Sequence, residues 1–286
     1  MRIEYSKTKN NSPQFLHGSN VEIIRNVNLP QPPEHALFDF DGTISLIREG
    51  WTEVMSSFMV DILRAAGTGE SDEILYDIVK DFITELTGKQ TIYQMIRLAE
   101  EVKKRGSEPE DPLAYKYQYH EMLLKHIHNR RESLRSGDVR PETMMVPGVS
   151  EFLRTLKMQG VTLYLASGTD IRYVLEEAYL LGVDAFFGDH IYGAVDEYQL
   201  YSKKKIIEDI IDKNSIKGKE LIGFGDGYVE IEDVKSVGGI AVGVASDEAG
   251  RNGKADAWKR SRLISIGADV IIPDFRDYNI LLHYFW

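Results

Sequence analysis

Apolar positions along the chain follow two patterns. Short, nearly continuous apolar runs occur at 21–24, 36–40, 161–166, 221–224, 240–244 and 270–272. Runs of this length and composition predict strands buried on both faces, with 21–24 at a sheet edge. Between the later runs, apolar residues recur at helical spacing over 150–159, 171–181, 203–212, 230–236, 256–266 and 274–284. Alternating strands and helices imply parallel βαβ units, so the expected fold is a doubly wound, Rossmann-like α/β sheet. From residue 44 to about 140 the pattern changes, with few glycines and helical spacing throughout. Four helices are predicted there, at 52–66, 71–86, 89–104 and 112–136. Gly67, Gly88, Gly106 and Gly137 follow them as C-terminal caps. The expected organisation is a polar N-terminal extension (1–33, the first twenty residues poorly ordered), an α/β core (34–47 and 141–286) and an inserted all-α cap (48–140).

Composition narrows the function. The 286 residues carry a formal net charge of −11, which argues against nucleic acid or an anionic membrane as partner. There is no cysteine, so disulfides and thiolate metal sites are excluded. No apolar run is long enough to span a bilayer, and the amino terminus lacks a signal-peptide core. The expected compartment is the cytoplasm.

Four clusters sit where an open sheet would place a ligand, outside the carboxyl ends of its strands. In Ala36-Leu37-Phe38-Asp39-Phe40-Asp41-Gly42-Thr43 a buried strand carries two acids, which need a charged partner. Ala166-Ser167-Gly168-Thr169-Asp170 offers a hydroxyl and a flexible backbone at a helix start, a setting for an anion. Alone it reads equally as an ordinary capped junction. Ser202-Lys203-Lys204-Lys205 places lysines against a helix dipole, tolerable beside an anion, and Lys203 is nearest the junction. Gly225-Asp226-Gly227 flanks an acid with glycines, as suits a metal ligand. Together they make chemical sense. Asp39 is the candidate nucleophile, Asp41 the general acid and base, Ser167 and Lys203 the holders of phosphoryl oxygens, and Asp39 with Asp226 the ligands of Mg²⁺.

The set resembles the haloacid dehalogenase superfamily of phosphohydrolases. Asp39-Phe40-Asp41-Gly42-Thr43 looks like its first motif, Ser167 its second, Lys203 its third, and Gly225-Asp226 followed by Glu230 its fourth. The helical insert and Pro147-Gly148-Val149 are similar to the phosphoglycolate phosphatase-like branch. The resemblance implies Mg²⁺-dependent hydrolysis of a small phosphorylated metabolite through an aspartyl-phosphate. It also implies that the Asp41 backbone carbonyl ligates the metal, with Thr43, Ser167 and Gly168 at the substrate. Glu230 stands where Asp is commoner, and Asp233 is a competitor for that role. Arg48 follows the catalytic loop, where the superfamily has a flap, and is expected to touch substrate. Phosphomutase, phosphonatase (needing a cap lysine such as Lys80 or Lys89) and a non-catalytic phosphate-binding module are the alternatives. His120, His126 and His128 are read as ordinary helix residues, and Tyr115, Tyr117 and Tyr119 as packing.

Overall fold

The computed structural model of the protein describes residues 13–200, 202–216 and 218–286. The first twelve residues, including the Asn10-Asn11-Ser12 sequon, lie outside this set. The strands form one seven-stranded sheet among the described residues. They are β1 (Glu22–Ile23), β2 (His35–Phe38), β3 (Thr162–Asp170), β4 (Ile191–Ala194), β5 (Leu221–Gly225), β6 (Ile240–Val244) and β7 (Val270–Ile272). Their order is β1-β7-β6-β5-β2-β3-β4. Every pairing is parallel except β1 with β7, so 21–24 is an edge strand as expected, but an antiparallel one. Residues 13–20 are less loose than their polarity suggests. Phe15 bridges Glu22, and the Ile23 amide donates to the Gln14 carbonyl at 2.7 Å.

Period-two alternation divides the core. Phe38 faces one side, stacked on Phe224 (centroids 4.7 Å apart) and edge-on to Phe152. Its neighbour Leu37 faces the other, among Ile207, Ile231, Val234 and Leu263. The first face is covered by α6 (Val149–Met158) and α12 (Tyr278–Phe285). The second is covered by α9 (Lys203–Asn214), α10 (Tyr228–Ser236) and α11 (Ala257–Ile266). Helix α7 (Ile171–Leu180) and the short α8 (Asp184–Phe187) follow β3.

Between β2 and α6 lie α1 (Trp51–Ala65), α2 (Asp72–Leu86), α3 (Thr91–Lys104), α4 (Pro112–His126) and α5 (His128–Ser136). Helix α1 packs against α2 and α4, and α3 against α4. Ser71 caps α2 by accepting from the Ile74 amide, and Asp111 caps α4 by accepting from Leu113. The expected single helix 112–136 is two. The chain turns at fully buried Ile127, and the turn brings Arg130 to the carbonyls of Ile47 and Glu49 and Arg135 to Glu176. The two links to this helical layer pair with each other. Leu46 donates to Met144 (2.8 Å) and Val146 to Ile44 (2.9 Å). Among the described residues no helix is long and apolar enough to cross a membrane.

Candidate active site

The chain leaves β2 still hydrogen-bonded to β5, the Asp39 amide donating to Phe224 at 2.9 Å. It then reverses tightly, with the amides of Ile44 and Ser45 each 2.8 Å from the Phe40 carbonyl. Gly42 makes the reversal possible. It has φ +73°, and a Cβ there would collide with the Asp226 carboxylate. Asp39 and Asp41 are thus delivered to the carboxyl edge of the sheet beside Asp226, which follows β5. Ser167 lies in the irregular part of β3, where pairing with β4 shifts register between Ala166 and Asp170.

Ser202 caps α9 by accepting from the Lys205 amide, which puts Lys203 in the first turn. Its ammonium, 4% exposed as a residue, donates to Asp39 Oδ1 at 2.7 Å and pairs with Glu230. Lys204 instead lies outside, near Glu208. Lys203 is therefore the lysine at the site, and Glu230 rather than Asp233 is the second acid on it. Asp233 is half-buried beside a neighbouring cavity, and burial, with Glu230 and Glu232, pushes its carboxyl up to about 6.

Burial, and then Glu230 and Asp226, push Asp39 well above the usual carboxylate range, while Lys203 pulls it back. Burial alone would lower Lys203, but Asp39 and Glu230 reverse this and raise it. Asp41 is raised by burial, opposed by Arg48. Its Oδ2 accepts from Thr169 Oγ1 at 2.8 Å, and its Oδ1 is buried without a hydrogen bond.

These groups line a cavity of about 90 Å³ between sheet and helical layer. Asp39, Asp41, Ser167, Gly168, Lys203 and Asp226 form its floor, and Trp51, Met55, Gln94, Tyr119 and Leu123 its ceiling. The link between α2 and α3 closes one side. A Cβ on Gly168 would lie 2.8 Å from the Lys89 carbonyl, so glycine there admits the loop. Thr43 is fully buried in the turn and is not among the lining residues. Arg48 lines the cavity, but its guanidinium is fixed by two bonds to fully buried Glu177 (3.0 and 2.9 Å), with Asp41 Oδ1 3.7 Å from Nε.

Sequence reasoning missed five side chains. Thr169 stood within a quoted cluster, but its bond to Asp41 depends on the β3 irregularity. Glu177 reads as a helix-surface acid. Lys259, on α11, donates to Asp226 (2.8 Å), Glu248 (2.6 Å) and Ser246 (3.1 Å), and Ser246 in turn donates to the Gly42 carbonyl. The burial of Lys259 opposes its charge, but Asp226 and Glu248 raise it. Neither Glu248 nor Lys259 belongs to a local motif. Of the histidines, His120 is a core residue, packed edge-on against Tyr173 and pushed down to about 3 chiefly by burial.

Among the described residues no three carboxylate or imidazole side chains are grouped to hold a metal ion. The side-chain donors on offer are two carboxylates, Asp39 and Asp226, to which the resemblance to the superfamily adds the backbone carbonyl of Asp41. That set fits Mg²⁺, which takes one or two carboxylates and completes its shell with water and phosphate oxygens. Asp226 adds to the upward push on the Asp39 carboxyl, a repulsion that a cation would relieve.

A family model described as haloacid dehalogenase-like hydrolase matches residues 33–238. No curated protein matches the sequence. Several solved structures share the fold. A haloacid dehalogenase-like protein of unknown function from Agrobacterium tumefaciens is 17% identical, over 88% of this chain and 98% of that one, with a TM-score of 0.54. A predicted phosphoglycolate phosphatase from Haemophilus somnus is 17% identical, over 87% and 98%, with a TM-score of 0.55. A β-phosphoglucomutase from Clostridium difficile is 14% identical, over 88% and 97%, with a TM-score of 0.57.

Proposed function

The chain belongs to the haloacid dehalogenase-like hydrolase family, and from that membership we propose that it is a Mg²⁺-dependent phosphatase acting on a small phosphomonoester through a phosphorylated Asp39. The observation that carries the reading is the 2.7 Å contact of Lys203 with Asp39 in a buried cavity that Asp41, Ser167 and Asp226 share. Four clusters far apart in sequence converge there.

Asp39 attacks phosphorus, forming an O–P bond as the bond to the leaving oxygen breaks. Asp41 gives its proton to that oxygen, and its raised pKa favours holding the proton until it is needed. Thr169, bonded to Asp41 Oδ2, orients the carboxyl so that Oδ1 is the free oxygen. Water then attacks the phosphorylated Asp39, returns a proton to Asp41 and releases phosphate with the Asp39 carboxylate restored. Lys203 and Ser167 hold phosphoryl oxygens. Bound between Asp39, Asp226 and the Asp41 carbonyl, Mg²⁺ would supply the positive charge that offsets these acids and the phosphoryl group.

The uncharged ceiling speaks against a mutase, which must also hold a second phosphoryl group. Of the two lysines considered for a phosphonatase, Lys80 is exposed on α2. Lys89 meets the cavity, but its ammonium stands 6.0 Å from the Tyr228 ring, over the neighbouring cavity. The test is phosphate release from short phosphomonoesters and p-nitrophenyl phosphate with Mg²⁺ and with EDTA. Wild type is expected to turn over only with Mg²⁺. Asp39→Asn should retain the fold and lose turnover, because Asn is nearly isosteric but a poor nucleophile. Wild-type kcat in Asp39→Asn would end the assignment.

A further inference from the structure

Gln94, on α3, is 3% exposed and lines the catalytic cavity from the ceiling. Its Oε1 is buried with no hydrogen-bond donor among the described residues. A buried amide without a partner is a cost to folding, and most native proteins satisfy such groups. The residue that carries it is part of the wall against which a ligand would lie. Around it the ceiling is apolar or uncharged: Trp51, Met55 and Leu123, with Thr91 and the Tyr119 ring.

Two of the three cations that line the cavity are already engaged. Arg48 is held by Glu177, and Lys203 by Asp39 and Glu230. The Lys89 ammonium lies toward Tyr228, which lines the neighbouring cavity instead. Lys89 lines the cavity from the α2–α3 link and not from the ceiling, where a hydroxyl on the leaving group would meet an amide that both donates and accepts. Size sets the other limit. The cavity of about 90 Å³ admits roughly six to nine water-sized groups at about 10–15 Å³ each. A phosphoryl group fills four of these positions, which leaves space for a short alcohol.

We propose that Gln94 selects the alcohol half of the substrate, and that the substrate is a short phosphomonoester whose leaving group is uncharged and carries a hydroxyl. This rests on the phosphatase reading above, and the two are separated by the choice of esters. Wild type, Gln94→Leu and the near-isosteric Gln94→Glu are assayed with Mg²⁺ on n-propyl phosphate, glycerol 3-phosphate, phosphoglycolate and 2-aminoethyl phosphate. Wild type should prefer glycerol 3-phosphate to n-propyl phosphate and to phosphoglycolate by about tenfold or more in kcat/KM, because a site built to bond a hydroxyl rejects analogues lacking it. Gln94→Leu should lower the glycerol-to-propyl ratio about tenfold or more, mainly through KM. Gln94→Glu should move the preference toward 2-aminoethyl phosphate, a change of sign that a merely structural role would not produce. The proposal is overturned if Gln94→Leu lowers all four esters alike or leaves the ratio in place, or if phosphoglycolate is the best wild-type substrate. If wild type hydrolyses these esters and Asp39→Asn does not, such a result removes the Gln94 proposal alone. If wild type hydrolyses none of them, nor p-nitrophenyl phosphate, the phosphatase reading fails and takes this one with it.

Discussion

Arg48 meets Glu177 before it meets any substrate. Both are buried, Glu177 completely, and the pair is bidentate. Removing one partner of such a pair leaves an uncompensated buried charge, at a cost of about 3–5 kcal/mol. Arg48→Ala should therefore lower Tm strongly, and adding Glu177→Gln should restore most of the loss. An unchanged Tm with a raised KM would instead support direct contact with substrate, the role that the sequence suggests. Asp39, Asp41, Ser167, Lys203, Asp226 and Glu230 were legible because each belongs to a short motif at a strand or helix end. Glu177, Glu248 and Lys259 were not, because only the folded chain shows that these acids and this lysine point inward. Asp233 gives a pH signature. Its folded value of about 6 lies above the ordinary 3.8. The folded state thus holds the proton more tightly, so this contribution to stability is full below about pH 4 and is lost as pH rises through about 6. Asp233→Asn should raise Tm at pH 7.5 in EDTA and give no gain at pH 4. A gain of equal size at both would mean that the charge is not its cause.

At the level of elements, the sheet was readable from apolar runs, while β4 and the break in α4 were not. Strand β4 is only four residues, with Gly193 inside it and two of its residues half-exposed, so it leaves little pattern. The break at Ile127 carries no Gly or Pro to announce it. What sequence shows least is how α4 meets the sheet. Lys116, on α4, is 1% exposed, and its ammonium lies 2.7 Å from Asp170 Oδ1 and 3.2 Å from Asp196 Oδ1. Asp170 follows Thr169, the partner of Asp41, so this ion pair ties a helix of the inserted layer to the strand end that orients the proposed acid. Lys116→Met should leave Asp170 buried without its cation. Hydrogen exchange should then speed up in α4 and α5 well before β2 and β5, with kcat/KM reduced. Lys116→Arg should exchange more like wild type. Uniform acceleration across the sheet would mean that Lys116 supports the whole fold and not this junction.

For the molecule as a whole, the question is how an ester reaches a cavity of about 90 Å³ roofed by helices. The contacts across the roof include many polar ones. Tyr117 donates to Asp196 (2.9 Å), Arg135 to Glu176 (2.6 Å) and Arg262 to the Thr84 carbonyl, in addition to Lys116 with Asp170. The two links to the helical layer are paired side by side at 44–46 and 144–146, which makes one narrow pivot out of two crossings. Polar contacts to the core and a single pivot suit a layer that swings as a unit. Closure would exclude bulk water from phosphorylated Asp39. Salt screens exposed ion pairs, so in the absence of ligand, raising NaCl should loosen the roof. Small-angle scattering should then show a larger radius of gyration, and exchange should rise on the core-facing sides of α3 and α4. BeF₃⁻ with Mg²⁺, a mimic of the phosphorylated state, should hold the roof down and remove that salt dependence. Asp39→Asn should not respond to the mimic, because it lacks the carboxylate on which BeF₃⁻ would sit. If scattering and exchange are the same with and without the mimic at every salt concentration, the helices do not move as a unit over the site, and the ester must enter between side chains of a rigid roof.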